Sequence, residues 1–210
     1  MSETTVTWSV EDVRRRVLAR GSADLDYDSG DAVLNPDLEQ LLERAAAREA
    51  AVLVPIVDRP EGASVLLTTR SATLRKHSGQ IAFPGGSVDP EDASVEAAAL
   101  REAREEIALD ARFVETLGRL PRYRTFTGFR ITPVVAIVRP GFALRPDPAE
   151  VADIFEVPLS FLMDEANHRR DSRELGGHMR HFYSISFGDR MIWGVTAGIL
   201  RTLYERLYRP

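Results

Sequence analysis

Arg101-Glu102-Ala103-Arg104-Glu105-Glu106 lies inside a run from about Ala93 to Leu109 that is built on Ala, Leu, Glu and Arg, all strong helix formers. At about 100° per residue, Glu102, Glu105 and Glu106 share about one third of the helix circumference. Leu100, Ala103 and Ile107 fall on another side, which can face a core. Like charges at these spacings repel by a few tenths of a kcal/mol per pair, and by more where water is excluded. Arg101 lies one turn before Glu105 and can pair with it. That leaves Glu102 and Glu106, about 6 Å apart along the axis, to hold a hard cation such as Mg²⁺. For a Glu-rich helix the ordinary alternative is a solvated charged face. The upstream turn Gly85-Gly86, followed by Asp89 and Asp92, shifts the balance toward a site. Glycines let backbone N–H groups approach a phosphate closely, and a cation on carboxylates neutralises oxygens that gain charge as a P–O bond breaks.

The rest of the 210-residue chain reads as a folded globule, with 44% hydrophobic residues and a net charge of −5 from 27 Lys+Arg against 32 Asp+Glu. Without cysteine there is no disulfide framework, thiolate metal site or cysteine nucleophile. Any chemistry must therefore use carboxylates, hydroxyls, His, Lys or a metal held by oxygen and nitrogen. No basic run carries the footprint of a nucleic-acid binder, and no stretch reaches the ~18 apolar residues of a membrane span. Arg14, Arg15, Arg16 and Arg20 invite a transit-peptide reading, but Glu3, Glu11 and Asp12 among them oppose it. The expectation is a cytoplasmic protein with neither nucleic-acid nor membrane partners.

Outward from the acidic helix, the chain alternates strands and helices in the manner of an α/β or α+β sandwich. Ser9 with Val10, Val13, Val17 and Leu18 predicts a capped helix in which Asp12 takes the place of a capping-box acid. Residues 21–38 read as a loop, and a second helix is expected from Asp37 to Ala51. Ala51–Val57 and Ser64–Thr69 are expected to pair as strands around the Asp58–Gly62 turn. Ser71–Pro90 reads as loop. Phe113–Leu120, Tyr123–Thr127 and Thr132–Arg139 read as strands, and the prolines of Pro140–Pro148 stop any regular element. Phe182–Phe187 and Met191–Trp193 suggest a hairpin around Gly188-Asp189. Val195, Ile199, Leu203 and Leu207 predict a final amphipathic helix. The expected division is an N-terminal helical extension over residues 1–48, packed on a single domain over residues 49–210.

Gly86 to Leu109 resembles the box of the Nudix hydrolases, with Arg101, Glu102, Glu105 and Glu106 in its four diagnostic places. Gly86 to Arg101 is one residue longer than the commonest box, and Ala108 stands where the family usually has glycine. Leu66-Leu67-Thr68-Thr69-Arg70-Ser71, Arg75, Gly79 and Phe83-Pro84-Gly85-Gly86 are similar to the signature of the coenzyme A pyrophosphatase subgroup, which shares the extension. Weaker echoes occur at Phe155-Glu156-Val157-Pro158-Leu159 and Trp193-Gly194-Val195-Thr196. The resemblance implies a Nudix-type α/β/α sandwich with a mixed central β-sheet and a diphosphatase dependent on Mg²⁺ or Mn²⁺. It further implies that coenzyme A or an acyl or oxidised derivative is cut to 4′-phosphopantetheine and adenosine 3′,5′-bisphosphate.

On that basis Glu102, Glu106 and Glu105 are the expected metal ligands, with Glu105, Arg101 and Glu150 in catalysis and Arg70, Arg75, Gly85 and Gly86 at the substrate. Glu150 is the candidate general base, because it follows the proline loop and could sit at a cleft rim on a segment able to adjust. A helix-capping acid is its bland alternative, and Glu105 its competitor. His77 reads as polar surface more readily than as a ligand, and His168, His178 and His181 lack ligand spacing. Arg119, Arg122, Arg124, Arg130 and Arg139 line a phosphate surface or simply a wet sheet face; Trp193 reads as core. Pyrophosphatases of ADP-ribose or NADH, or a catalytically silent nucleotide sensor, are the competing functions. The sequence does not decide between monomer and homodimer.

Overall fold

Apolar residues alternate between two faces along residues 51–57, 64–69 and 132–138, and these runs build the middle of the molecule. The computed structural model describes residues 8–20, 29–39, 48–74, 77–175 and 177–209. In chain order its elements are α1 (Val10–Arg20), β1 (Ser29–Gly30), β2 (Arg48–Val57), β3 (Ser64–Arg70), β4 (Ile81–Ala82), β5 (Gly85–Ser87), α2 (Val95–Ile107), β6 (Val114–Arg119), β7 (Tyr123–Arg124) and β8 (Phe129–Val138). The C-terminal part adds β9 (Val151–Pro158), α3 (Leu159–Leu162), β10 (Arg169–Leu175), β11 (His178–Phe187), β12 (Arg190–Trp193) and α4 (Val195–Leu207).

A mixed sheet of nine described strands runs β1-β7-β8-β2-β3-β4, with β5 on β2, β6 on β8 and β9 on β3. Its spine is the parallel β2–β8 pair, in register from Arg48↔Phe129 to Val57↔Val138. Period two then assigns the layers. Ala51, Leu53 and Val57 of β2 and Val134, Ala136 and Val138 of β8 pack with Ala98, Ala99, Ala103 and Ile107 of α2. Val54, Ile56, Val135 and Ile137 point the other way, toward Val10 and Val13 of α1 and Ile199, Leu200, Leu203 and Leu207 of α4. The alanines of α2 let it lie close to the sheet, and Ser94 caps it by accepting the Ala97 N–H at 3.2 Å. The expected sandwich, with helices on both faces of a mixed sheet, is the architecture observed.

Several local expectations need correction. Residues 40–47 of the expected second helix lie outside the described residues, and its last four, from Arg48 to Ala51, are strand. Parallel pairing with β8 in a buried sheet overrides the helix preference of alanine there. β2 and β3 pair as expected, but only through Ile56↔Val65 and Val57↔Ser64. On its other edge β3 pairs with β9 along its whole length, and β5 takes the place of β3 along the earlier part of β2. The 71–90 loop therefore contains two short strands. Asp12 does not close a capping box. Ser9 Oγ accepts the Asp12 N–H, while the buried Asp12 carboxylate pairs with Arg15 and Arg16. β10 joins the expected β11–β12 hairpin in a separate antiparallel sheet. Among the described residues, no helix is long and apolar enough to cross a membrane.

Candidate active site

The handover from β3 to β5 positions the site. Gly85 and Gly86 pair with Val52 and Ala51, and Leu53 N–H reaches the Pro84 carbonyl at 2.9 Å, so the glycine turn is pulled flat against the sheet directly before α2. A Cβ on Gly85 would lie 2.4 Å from the Ala51 carbonyl oxygen. A Cβ on Gly86 would lie 2.5 Å from the Glu102 carboxylate. Backbone thus requires glycine at 85, whereas at 86 the conflict is with the movable end of the Glu102 side chain. The amide expected to cradle a phosphate is already used, since Gly85 N–H donates to Glu106 Oε2 at 3.2 Å.

Arg101 is the hub of the exposed side. It donates to Asp92 through Nε and Nη2 at 3.1 and 2.9 Å, to Glu102 at 2.9 Å, to Glu105 at 3.1 Å and to the Ser87 carbonyl at 3.1 Å. The Arg101–Glu105 pair is the expected one, but Glu102 is not left free, because the guanidinium spans both. Asp92, noted in the sequence only as part of an acidic pair, is its bidentate anchor; the hydrogen bond from Arg101 holds its carboxyl below the usual value.

Glu106 has a different environment. Its side chain is only 3% exposed, and its counter-charge, Arg70 Nη1, stands off at 3.7 Å. Burial pushes its pKa up to about 7, against the opposing pull of the Gly85 N–H and Arg70 and with help from the charges of Glu150 and Glu102. Burial also raises Glu102, with Arg101 opposing and Glu105 and Glu150 adding to the rise. No motif or periodicity marks the Arg70–Glu106 contact, which brings a strand end against a helix distant in the chain. Arg70 Nε is buried without a hydrogen-bond partner among the described residues.

Glu150 stands in the electrostatic field of both helix acids. Its carbonyl accepts the Ser71 N–H at 2.8 Å, and its own N–H goes to the Asp147 carbonyl. Asp147 N–H in turn reaches the Glu106 carbonyl at 2.8 Å, and Arg145 N–H the Ile107 carbonyl at 3.0 Å. The segment expected to adjust is therefore pinned to the end of α2 by backbone hydrogen bonds. Glu150 leads directly into β9, a strand, so it has no helix to cap. Arg75 lies outside the described residues.

The remaining candidates fall elsewhere. His77, at φ 59°, bonds Gln80 through Nδ1, and His168 Nε2 meets the Leu162 carbonyl. Arg119 pairs with Glu96, Arg130 with Glu49, and Arg139 donates to the Arg112 carbonyl. Arg122 and Arg124 also have partners. Trp193 is half-buried against Phe182.

As the side chains stand, no three His, Asp or Glu groups among the described residues converge to hold a metal. The donor chemistry nevertheless fits a hard dication. The acids are all oxygen ligands on one helix face, and one of them, Glu106, is a buried carboxylate whose single described ion pair, with Arg70, is long at 3.7 Å.

Residues 40–176 match the NUDIX domain family. The chain is 49% identical over 157 residues to a protein of Cronobacter sakazakii described as an uncharacterized Nudix hydrolase NudL, covering 74% of this chain and 81% of that one. A protein of the same description from Escherichia coli O1:K1 is 45% identical over 179 residues, covering 85% and 91%. Among solved structures, DR0079 of Deinococcus radiodurans shares the fold at a TM-score of 0.51 and 16% identity, covering 79% of this chain and 86% of its own. The chain belongs to the Nudix family. It is a Nudix hydrolase, of a class that generally uses divalent ions such as Mg²⁺ or Mn²⁺ and acts on small nucleotide substrates.

Proposed function

We propose that the protein is a cytoplasmic coenzyme A diphosphatase that cleaves coenzyme A or its thioesters to 4′-phosphopantetheine and adenosine 3′,5′-bisphosphate. The observation that carries this reading is Arg70. It belongs to the segment resembling the coenzyme A subgroup, and it reaches the acidic cluster with a buried, unsatisfied Nε. A diphosphate oxygen is an acceptor suited to it. Arg75 is proposed as a second substrate cation.

Glu102, Glu105 and Glu106 would hold the Mg²⁺ or Mn²⁺ ion, which when bound supplies charge neutralisation at the diphosphate oxygens. Arg101 holds Glu102 and Glu105 on the helix face until substrate and cation arrive. Glu150 takes a proton onto a carboxylate oxygen from the water that attacks phosphorus, and the bridging P–O bond breaks. Most of the acceleration then comes from positioning and charge complementarity.

The test is product analysis with Mg²⁺ across coenzyme A, an acyl-coenzyme A, dephospho-coenzyme A, ADP-ribose and NADH. Preferential cleavage of the coenzyme A pair, with dephospho-coenzyme A clearly poorer, supports the reading. Equal cleavage of ADP-ribose or NADH contradicts the substrate and leaves the enzyme class intact.

A further inference from the structure

Two echoes in the sequence, around Phe155 and around Trp193, find no place in the acidic cluster; Arg190 stacks on the first, and the second reaches the neighbouring strand β4 through Thr196. The register of β3 against β9 slips between Thr69 and Arg70. Thr69 is opposite Asp153 and Arg70 is opposite Val151, so Ala152 is an extra residue on β9. Such a bulge re-aims the side chains beyond it. Here those side chains are Arg70, which pairs with Glu106, and Glu150, whose charge bears on Glu102 and Glu106. A bulge leaves the ladder locally weak, so a device that holds the last regular pair has mechanical value.

Arg190 has that geometry. Its Nη2 pairs with Asp153 Oδ2 at 2.8 Å, its Nη1 reaches Thr69 Oγ1 at 3.4 Å, and its guanidinium carbon lies 3.9 Å over the Phe155 ring. One rigid planar group thus grips both strands at the pair next to the bulge. Thr69 and Arg70 alternate across the sheet, so Arg190 acts from the face opposite the acids and does not touch substrate. The grip is itself braced. Arg190 faces Phe187 across the Gly188-Asp189 turn, and the Phe187 ring packs edge-on against Phe161 at 5.1 Å. Thr196 Oγ1, in the first turn of α4, holds the Ile81 carbonyl at 2.9 Å, and Ile81 pairs with Thr69.

We propose that Arg190 is a positioning residue that locks the Thr69–Asp153 pair, so that the bulge presents Arg70 and Glu150 to the acids of α2. The inference rests on the proposed roles of those two residues. Its test combines amide exchange with kinetics in Arg190→Ala and Arg190→Lys. In Arg190→Ala, exchange of the Ser71 amide, which bonds the Glu150 carbonyl across the bulge, is expected to accelerate about tenfold, while amides of the β2–β8 ladder keep their protection. kcat is expected to fall about tenfold, with Arg190→Lys recovering part of it because it keeps the charge and loses the fork. In a Glu150→Gln background, Arg190→Ala should cost clearly less than in the parent, because one of the two groups it positions is gone.

Unchanged Ser71 protection overturns the proposal. So does faster exchange with parental kcat, or an equal kinetic cost in both backgrounds. A failure of the underlying reading shows separately, as parental kcat in Glu150→Gln alone.

Discussion

Gly86 and the Glu102 carboxylate occupy one space: a Cβ on the glycine would sit 2.5 Å from the acid. The atoms it would strike are the far end of a flexible side chain, so Gly86→Ala is cheap for the fold and costly for the site. We expect a melting temperature within a few degrees of the parent and a fall in activity of about tenfold or more, as Glu102 is turned off the helix face it shares with Glu106. Thermal melts beside steady-state kinetics check this. Loss of fold in step with loss of activity would contradict it.

Burial makes the Glu106 carboxylate a liability to the fold when it is charged. Its folded pKa is raised from 4.5 to about 7. The folded state therefore binds this proton more tightly than the unfolded chain does. The corresponding stability is fully present below about pH 4.5 and is lost as pH rises through 7. The shift corresponds to about 3 kcal/mol as an order of magnitude. Metal-free Glu106→Gln, which carries no charge to bury, is expected to be more stable than the parent at pH 8 and to show a flatter profile between pH 5 and 8. Denaturant titrations with chelator at several pH values measure both. Parallel pH profiles for the two proteins would refute the shift.

Ala108 ends α2 in the left-handed region at φ 56°, donating its N–H to the Ala103 and Arg104 carbonyls. An L side chain costs about 1–2 kcal/mol there, part of which glycine returns through unfolded-chain entropy. Ala108→Gly should stabilise the protein by about 0.5–1 kcal/mol and raise its melting temperature by about 1–4 °C, with activity unchanged. A lower melting temperature would show that the Ala108 methyl packs usefully.

The acidic helix was legible because Ala103 and Ile107 repeat on one side while Glu102, Glu105 and Glu106 repeat on another. The β2 and β8 strands were legible as short apolar, β-branched runs, because both of their faces are buried. Residues 85–87 were not, since Gly85 and Gly86 have no side chain from which to read a period, and only pairing with β2 makes them a strand. β10, with the sequence Arg169-Arg170-Asp171-Ser172-Arg173-Glu174-Leu175, shows no apolar alternation and is strand by virtue of β11. The Arg70–Glu106 contact and the bulge at Ala152 depend on chain crossings far apart in sequence. The residue types announced the acids of the site; the partners that set their proton affinities are tertiary.

If Glu106 serves the cation and the diphosphate rather than the fold, turnover of coenzyme A by Glu106→Gln with saturating Mg²⁺ is the measurement that shows it most directly. We expect a fall of about 10²-fold or more in a protein that remains folded, because an anionic metal ligand worth several kcal/mol to the transition state is lost. Near-parental turnover would contradict that role.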